Sequence, residues 1–523
     1  AAWKSQLWSR METLMQTLTG KVGQVWTLHR VLSKKRDAQT HILFLEIVSG
    51  GIQKGDHSWS AFSEFWVQLF HGVTAELQAC GDKNTFIKGM LSTDFPKLRS
   101  LFLDMWDTSR RETDAGQSGA ISEEQRLAIL NSLCDFQGQY LSRASTRVTE
   151  SVNGLFASKA SGGPVGPAPA DVTNLQKAIA STAQSARSDA ELSVAIARAI
   201  EEAVNLFVKR CDDTIIVEGS DIKALGTTLT MAQTKNMAMY HAACQVQSCL
   251  ETIESGLAKS GCLVASGIYG RVKTEVGMRA LRAVEPMFSA LQEAVLFTFV
   301  DMHEEILDTP RAPPSEQEEE MENCSAYMKR AKKYIDTFHS RFVQKLSPSR
   351  QLKSLQEATA KAALVSFVRN LVLIHPLSEI AKMNLVQDMT TLEDMLGKLC
   401  TLKEVGQPYQ ALRALRPLLF VEDEPLTTLP QRLLEVKGAD YLSKQDLVCH
   451  VMQRSPASVP PLFQDPPGAS RRNAIQAYIN QIDSQGPSIV SSRVQGILDS
   501  LDTSKPSLDF KQAALTVATS LLK

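Results

Sequence analysis

The chain has 523 residues, of which 43% are hydrophobic and only 6% aromatic, with a net charge of −1 and an isoelectric point near 6.8. That length is too great for one hydrophobic core and predicts three or four units of roughly 100 to 200 residues each. The balanced charge, patchy only locally, lacks the clustered basic excess of a nucleic-acid binder and implies no polyanion partner.

Low aromatic content, with Ala, Leu and Met carrying the apolar positions, favours helix over sheet. In chain order, residues 1–48 predict one long helix, or two broken near Lys34–Thr40. Leu7, Met11, Leu14, Met15, Leu18, Val22, Val25, Leu28, Val31 and Leu32 recur there at spacings of three and four, and so share a face. The basic cluster Lys34-Lys35-Arg36 follows, then Asp37 and a second apolar run from Ile42 to Val48. Residues 61–80 predict an aromatic-rich helix containing Phe62, Phe65, Trp66 and Phe70. After Asp94, Pro96 suits the first turn of a helix carrying Leu98, Leu101, Phe102 and Met105. Residues 109–120 read as a polar loop, and 122–157 as a helix capped near Ser122.

The stretch SGGPVGPAPA, 161–170, reads as a flexible linker, with Asp171 or Thr173 capping the helix that follows to about Arg210. Further helices are expected over 226–259 and 272–307. The proline-led acidic segment 309–323 reads as a disordered surface loop. Helices then cover 324–346, 350–374, 377–403 and 407–420. The tail from 430 alternates helices with loops at 455–468, 484–488 and 503–506. No fixed repeat period is present. The expected fold is all-α, an elongated rod of successive antiparallel helical bundles divided at 1–160, 171–308, 324–425 and 430–523.

Chemical motifs are sought and not completed. Gly256 to Gly261 has phosphate-loop glycine spacing, but Cys262 and Leu263 stand where lysine and a hydroxyl residue are needed, so a helix-ending turn is expected. His303-Glu304 starts a zinc-protease pattern, but Leu307 takes the second ligand position. His241 and Cys244 share a helical face, whereas Cys249 lies some 140° around it. No catalytic, cofactor or metal site is therefore assigned. Most of the nine cysteines are widely spaced in apolar surroundings and their number is odd, as expected of reduced thiols in a cytosolic protein. No run of 18 or more apolar residues is found, the nearest being Ala362 to Ile374, broken by Arg369 and Asn370.

Two basic features read either as interaction points or as ordinary helix chemistry. In YQALRALRPLLF, 409–420, Arg413 and Arg416 sit three apart beside a leucine stripe. They suit an acidic partner or membrane surface, or simply the negative end of a helix closed by Pro417. Lys329 to Lys333 follows the acidic run 316–320 and reads as intramolecular pairing, a solvated face or a phospholipid patch. Trp8 and Trp26 on the first helix are candidate partner contacts, because large aromatics are enriched at binding hot spots.

The wording of residues 7–46, LWSRMETLMQTLTGKVGQVWTLHRVLSKKRDAQTHILFLE, resembles subunit five of the conserved oligomeric Golgi complex, a family of vesicle tethers. So do FPKLRSLFLDMW (95–106), YLSRASTRVTESVNGLF (140–156), CSAYMKR (324–330), LVLIHPLSEIAKMNLVQDM (373–389) and YQALRALRPLLF (409–420), in the family's order. The tail after 430 is only loosely similar. The resemblance implies a non-catalytic tether subunit on the cytosolic face of the Golgi. It implies roles in retrograde intra-Golgi transport and recycling of Golgi enzymes. It also implies pairing with sister subunits six, seven and eight, most directly the seventh, and SNARE proteins and small GTPases as further partners. The opening AAWKSQ, without Met, reads as that of an excised fragment, and the resemblance implies a coiled-coil-rich portion upstream of it. The competing expectation is a helical scaffold of another tether, exocyst-like or Golgi-to-endosome, against which the LW–KKRD and RPLLF segments discriminate.

Overall fold

The computed structural model describes residues 2–49, 61–114, 123–157, 166–305, 307–310, 324–375, 377–422, 429–454, 462, 470–485 and 487–500. Among the described residues the fold is all-α, with twenty helices and no strand; one isolated antiparallel bridge joins Arg36 and Leu43. The chain divides into two compact units. One comprises Ala1–Ala160, Ala168–Arg210 and Gln245–Glu275, the other Ser161–Pro167, Cys211–Cys244 and Val276–Lys523.

The first unit opens with α1 (Ala2–Leu32), α2 (Phe44–Ser49), α3 (Ala61–Lys83), α4 (Thr85–Thr93) and α5 (Phe95–Asp114). The break expected near Lys34–Thr40 is present as a turn between α1 and α2. α1 packs on α3 and α5 and buries Trp8, Met11, Met15 and Val22. Leu14, Leu28 and Val31, counted on the same stripe, are exposed instead, because only part of that wide face meets a neighbour. α5 buries Phe95, Leu98, Phe102, Met105 and Trp106. It also continues to Asp114, so the polar loop expected from 109 gives way to helix. Ser109 and Thr113 are fully buried on the Phe102 face, where small hydroxyl side chains fit against a neighbour. Asn84 caps α4 by accepting from Phe86 N–H and Ile87 N–H.

The expected helix over 122–157 is two, α6 (Glu123–Ser132) and α7 (Cys134–Phe156), broken at Leu133. α8 (Pro169–Gln184) begins inside the expected linker. Pro169 occupies the first turn and Ala168 the cap position, displacing Asp171 and Thr173 from that role. α7 and α8 pack through Val148, Val152, Leu155, Val172, Leu175 and Ile179.

Arg99 of α5, 4% exposed, ties this unit together. Its guanidinium binds Asp189 and donates from Nη2 to Glu191 at 2.5 Å, and Arg126 also binds Glu191. Burial pushes the Glu191 carboxyl up, but the two guanidinium groups outweigh it and hold the group below the usual glutamate range.

The division between units falls within α9 (Ala190–Thr214), α10 (Met231–Lys259) and α11 (Leu263–Val300). α10 starts five residues later than expected. Thr230 Oγ1 accepts from Gln233 N–H while Gln233 Oε1 accepts from Thr230 N–H, a reciprocal cap that fixes the start. The stretch Leu263–His303 is long and apolar enough to cross a membrane by length and composition, although charged residues such as Arg279 and Glu293 interrupt its apolar run. Of its most apolar window 61% is buried within the protein, as in a core helix.

The second unit continues with α12 (Ala326–Arg341), α13 (Arg350–Leu371), α14 (Glu379–Gly397), α15 (Leu402–Val405), α16 (Gln407–Leu419), α17 (Leu429–Glu435), α18 (Lys444–Gln453), α19 (Arg471–Gln485) and α20 (Pro487–Ser500). In its core Phe288 meets Phe338 edge-on at 5.0 Å and Phe299 meets Phe367 edge-on at 5.5 Å. Ser349, Ser378 and Ser443 cap α13, α14 and α18. Fully buried Asp388 accepts from Ser325 N–H at 3.0 Å and from Tyr327 O–H at 2.7 Å, which offsets the cost of burying it. Of the expected loop at 484–488, Ser484 and Gln485 belong to α19 and Pro487 and Ser488 to α20. Most of the other expected loops, 50–60, 115–120, 161–165, 311–323, 455–461, 463–468 and 503–506, lie outside the described residues.

Candidate interaction surface

Trp8 lies inside the first unit, 4% exposed. Its indole Nε1 donates to Asp94 Oδ2 at 3.1 Å, and Lys97 Nζ stands 5.2 Å from the ring centroid. Lys4 reaches the same Asp94 oxygen at 2.6 Å. These contacts make Trp8 an internal anchor of α1. Trp26 is half-buried. It stacks on His29 at 5.7 Å and meets Phe62 edge-on at 5.1 Å, at the head of an aromatic series running through Trp66 and Phe70 to Phe102. Burial lowers the His29 pKa.

The accessible surface near these residues is an open apolar groove between α1 and α3. Met11, Leu14, Met15 and Leu18 form one wall and Leu69, Val73 and Leu77 the other, around a cavity of about 490 Å³. Leu14, half-exposed, is its most solvated apolar member. The sequence showed the α1 wall but not the groove, since α3 presents Leu69, Val73 and Leu77 with no motif to mark them. A smaller hollow of about 130 Å³ is lined by Trp66, Phe70, His71, Thr74, Ile129 and Ser132.

Arg413 and Arg416 belong to the second unit. α16 buries Leu412, Leu415, Leu418 and Leu419 and continues two residues past Pro417. Arg416 Nη2 donates to Glu393 Oε2 at 2.8 Å, so it pairs within its own bundle. Arg413 is exposed, its guanidinium 6.0 Å from the Tyr409 ring centroid. In the Lys329–Lys333 stretch, Arg330 pairs with Asp301 at 2.6 Å, while Lys329 and Lys333 are exposed.

The residues weighed for chemistry have other employment. Gly261, at φ 82°, forms the turn that ends α10. His303 Nε2 contacts Asn370 Oδ1 at 3.3 Å. His241 Nδ1 pairs with Ser347 Oγ at 2.8 Å, and Cys249 Sγ faces Gln176 O at 3.7 Å. Among the described residues no group of three His, Cys, Asp or Glu side chains could hold a metal ion.

Residues 1–106, which hold α1 through most of α5 and the whole groove, match the family model described as conserved oligomeric Golgi complex subunit 5, C-terminal. The chain is 26% identical over 439 residues to conserved oligomeric Golgi complex subunit 5 of Arabidopsis thaliana, covering 82% of this chain and 51% of that protein. It is 24% identical over 492 residues to the protein of that name in Mus musculus, covering 89% of this chain and 57% of that protein. A third relative of that name, from Dictyostelium discoideum, is 20% identical over 339 residues, covering 57% of this chain and 37% of that protein. The chain thus spans about half the length of the first two curated relatives. With the family model matching at one end and two alignments covering most of the chain, the chain is similar to conserved oligomeric Golgi complex subunit 5 over most of its length.

Proposed function

We propose that this chain is a non-catalytic subunit of a Golgi vesicle-tethering complex, acting on the cytosolic face of the Golgi membrane. It supports retrograde intra-Golgi transport and the recycling of Golgi enzymes. Its partners in this reading are sister subunits six, seven and eight, most directly the seventh, with SNARE proteins and small GTPases as further partners. One observation carries the reading: the α1–α3 groove, open and apolar, lies entirely within the residues that match the family model. A groove of this kind accepts the apolar face of a partner helix, with anchors spaced three and four residues apart.

The test is co-purification of the chain with each of the three sister subunits. The seventh should co-elute. Leu14→Glu should weaken that association while leaving the unfolding midpoint unchanged, because Leu14 is half-exposed and contributes little to the core. A chain that elutes alone in all three trials overturns the assignment. Association unaffected by Leu14→Glu moves the contact away from the groove.

A further inference from the structure

The return of the chain between α1 and α2 is a built structure. Asp37 N–H donates to Ile42 O at 2.9 Å and Phe44 N–H to Lys35 O at 3.0 Å, so Arg36 faces Leu43 across an antiparallel bridge. The tip is closed by His41, whose φ of 55° is left-handed, an uncommon setting for a residue other than glycine. It is held there by its own N–H to Asp37 O at 3.0 Å and by Arg36 Nη1 donating to its carbonyl at 2.9 Å.

What this hairpin presents is a mixture of cationic and apolar side chains. Arg30, Lys34, Lys35 and Arg36 are all exposed, and among the described residues none of them forms an ion pair. The one acid within the turn, Asp37, is turned to local use: its Oδ2 accepts from Gln39 N–H, Thr40 N–H and Thr40 O–H. Beside these cations stand Ile42 at 43%, Ile47 at 49% and Val48 at 54% exposure. Branched apolar residues next to uncompensated lysines suit an interface that is anionic at its surface and hydrocarbon beneath.

We propose that the α1–α2 hairpin is a membrane-contact site, in which Arg30, Lys34, Lys35 and Arg36 bind anionic phospholipid headgroups while Ile42 and its apolar neighbours enter the interfacial layer. This goes beyond the tether assignment and does not rest on it. It separates two duties along one helix, with the groove of Met11–Leu18 facing protein and the far end facing lipid.

The experiment is vesicle co-sedimentation of the whole chain. Phosphatidylcholine vesicles containing about 30% phosphatidylserine should pellet the protein, pure phosphatidylcholine vesicles should not, and salt raised to about 500 mM should release most of it. Lys34→Glu combined with Lys35→Glu should lower the affinity about tenfold or more. Ile42→Ser should weaken binding while retaining its salt dependence. Lys329→Glu combined with Lys333→Glu, on the other exposed basic stretch, should bind like the parent chain. Circular dichroism of each variant confirms retained helix, and retained association with the seventh subunit separates this site from the groove. Equal binding to both vesicle types overturns the proposal, as does a Lys34→Glu/Lys35→Glu variant that binds like the parent. Hairpin-dependent binding of a polyglutamate peptide without vesicle binding would assign the surface to an acidic protein instead.

Discussion

Trp8 and Asp94 lie 86 residues apart in sequence and 3.1 Å apart in space, indole N–H to carboxylate. The pair fastens the first helix to the residue just before α5, and Lys4 adds its ammonium to the same oxygen. The ring is 4% exposed. Trp8→Ala is therefore expected to cost about 3–5 kcal/mol of stability, the range for removing a large buried aromatic. Trp26→Ala, at a half-buried position, should cost less. Urea unfolding of both variants, set beside Leu14→Glu, tells which members of α1 are structural. A Trp8→Ala variant as stable as the parent would contradict the packing described.

Arg99 answers two carboxylates from an almost fully buried position. Removing it as Arg99→Met leaves Asp189 and Glu191 without their shared cation, and a loss of about 2–4 kcal/mol is expected at neutral pH, below the full buried-pair range because Glu191 is partly solvated. The sign of the pH dependence follows from Glu191, whose pKa is lowered in the folded chain. Its contribution is present above the unfolded glutamate pKa and is lost as pH falls through the folded one. The gap between parent and variant should therefore shrink on acidification. Urea titrations at neutral and acidic pH would register it.

Thiol reactivity should divide sharply by position. Cys80 and Cys134 are exposed and are expected to alkylate first. The Cys400 thiol is pushed up to about 11 by burial and by nearby Glu357 and Glu404, so it should react slowly at mildly alkaline pH. Cys211 and Cys449, buried and raised further, should label only after unfolding. Peptide mapping by mass spectrometry over a time course reads all five.

Ser349 does two jobs. It accepts Leu352 N–H to cap α13, and its hydroxyl pairs with Tyr240 O–H at 2.8 Å. Ser349→Ala should cost about 1–2 kcal/mol, against about 1 kcal/mol for Ser443→Ala. Ser443 caps α18 from an exposed position. Equal losses would mean that the tyrosine contact adds nothing.

The helical class was legible because apolar spacing and composition agree along most of the chain. Boundaries were less so, for reasons that differ by residue. The reciprocal cap of Thr230 and Gln233 is written in the sequence as a Thr-x-x-Gln spacing, but the glycine and threonines just before it give no sign of where the helix begins. Ser109 and Thr113 looked like loop residues because polarity alone does not tell a small hydroxyl packed on a helix face from one in water. The site was half legible. The α1 wall of the groove and the basic run at Lys34 stood out in sequence. The α3 wall did not, because residues 50 positions apart share a cavity only once the helices pack. Nor could Trp8 be told from a surface tryptophan until Asp94 was found beside it.

Asn236 of α10 holds a different lesson. Fully buried, it donates from Nδ2 to Ile216 O at 2.7 Å and to Ala283 O at 2.8 Å, and accepts Ile216 N–H at 3.0 Å through Oδ1. Apolar helix faces are tolerant of sliding, since one methyl contact replaces another at little cost. A buried amide that must meet three backbone groups at once fits at a single setting. Asn236 thus acts as a registration pin: it adds little to the depth of the energy well but removes the neighbouring wells, in which α10 would sit one turn out of step with the segments on either side.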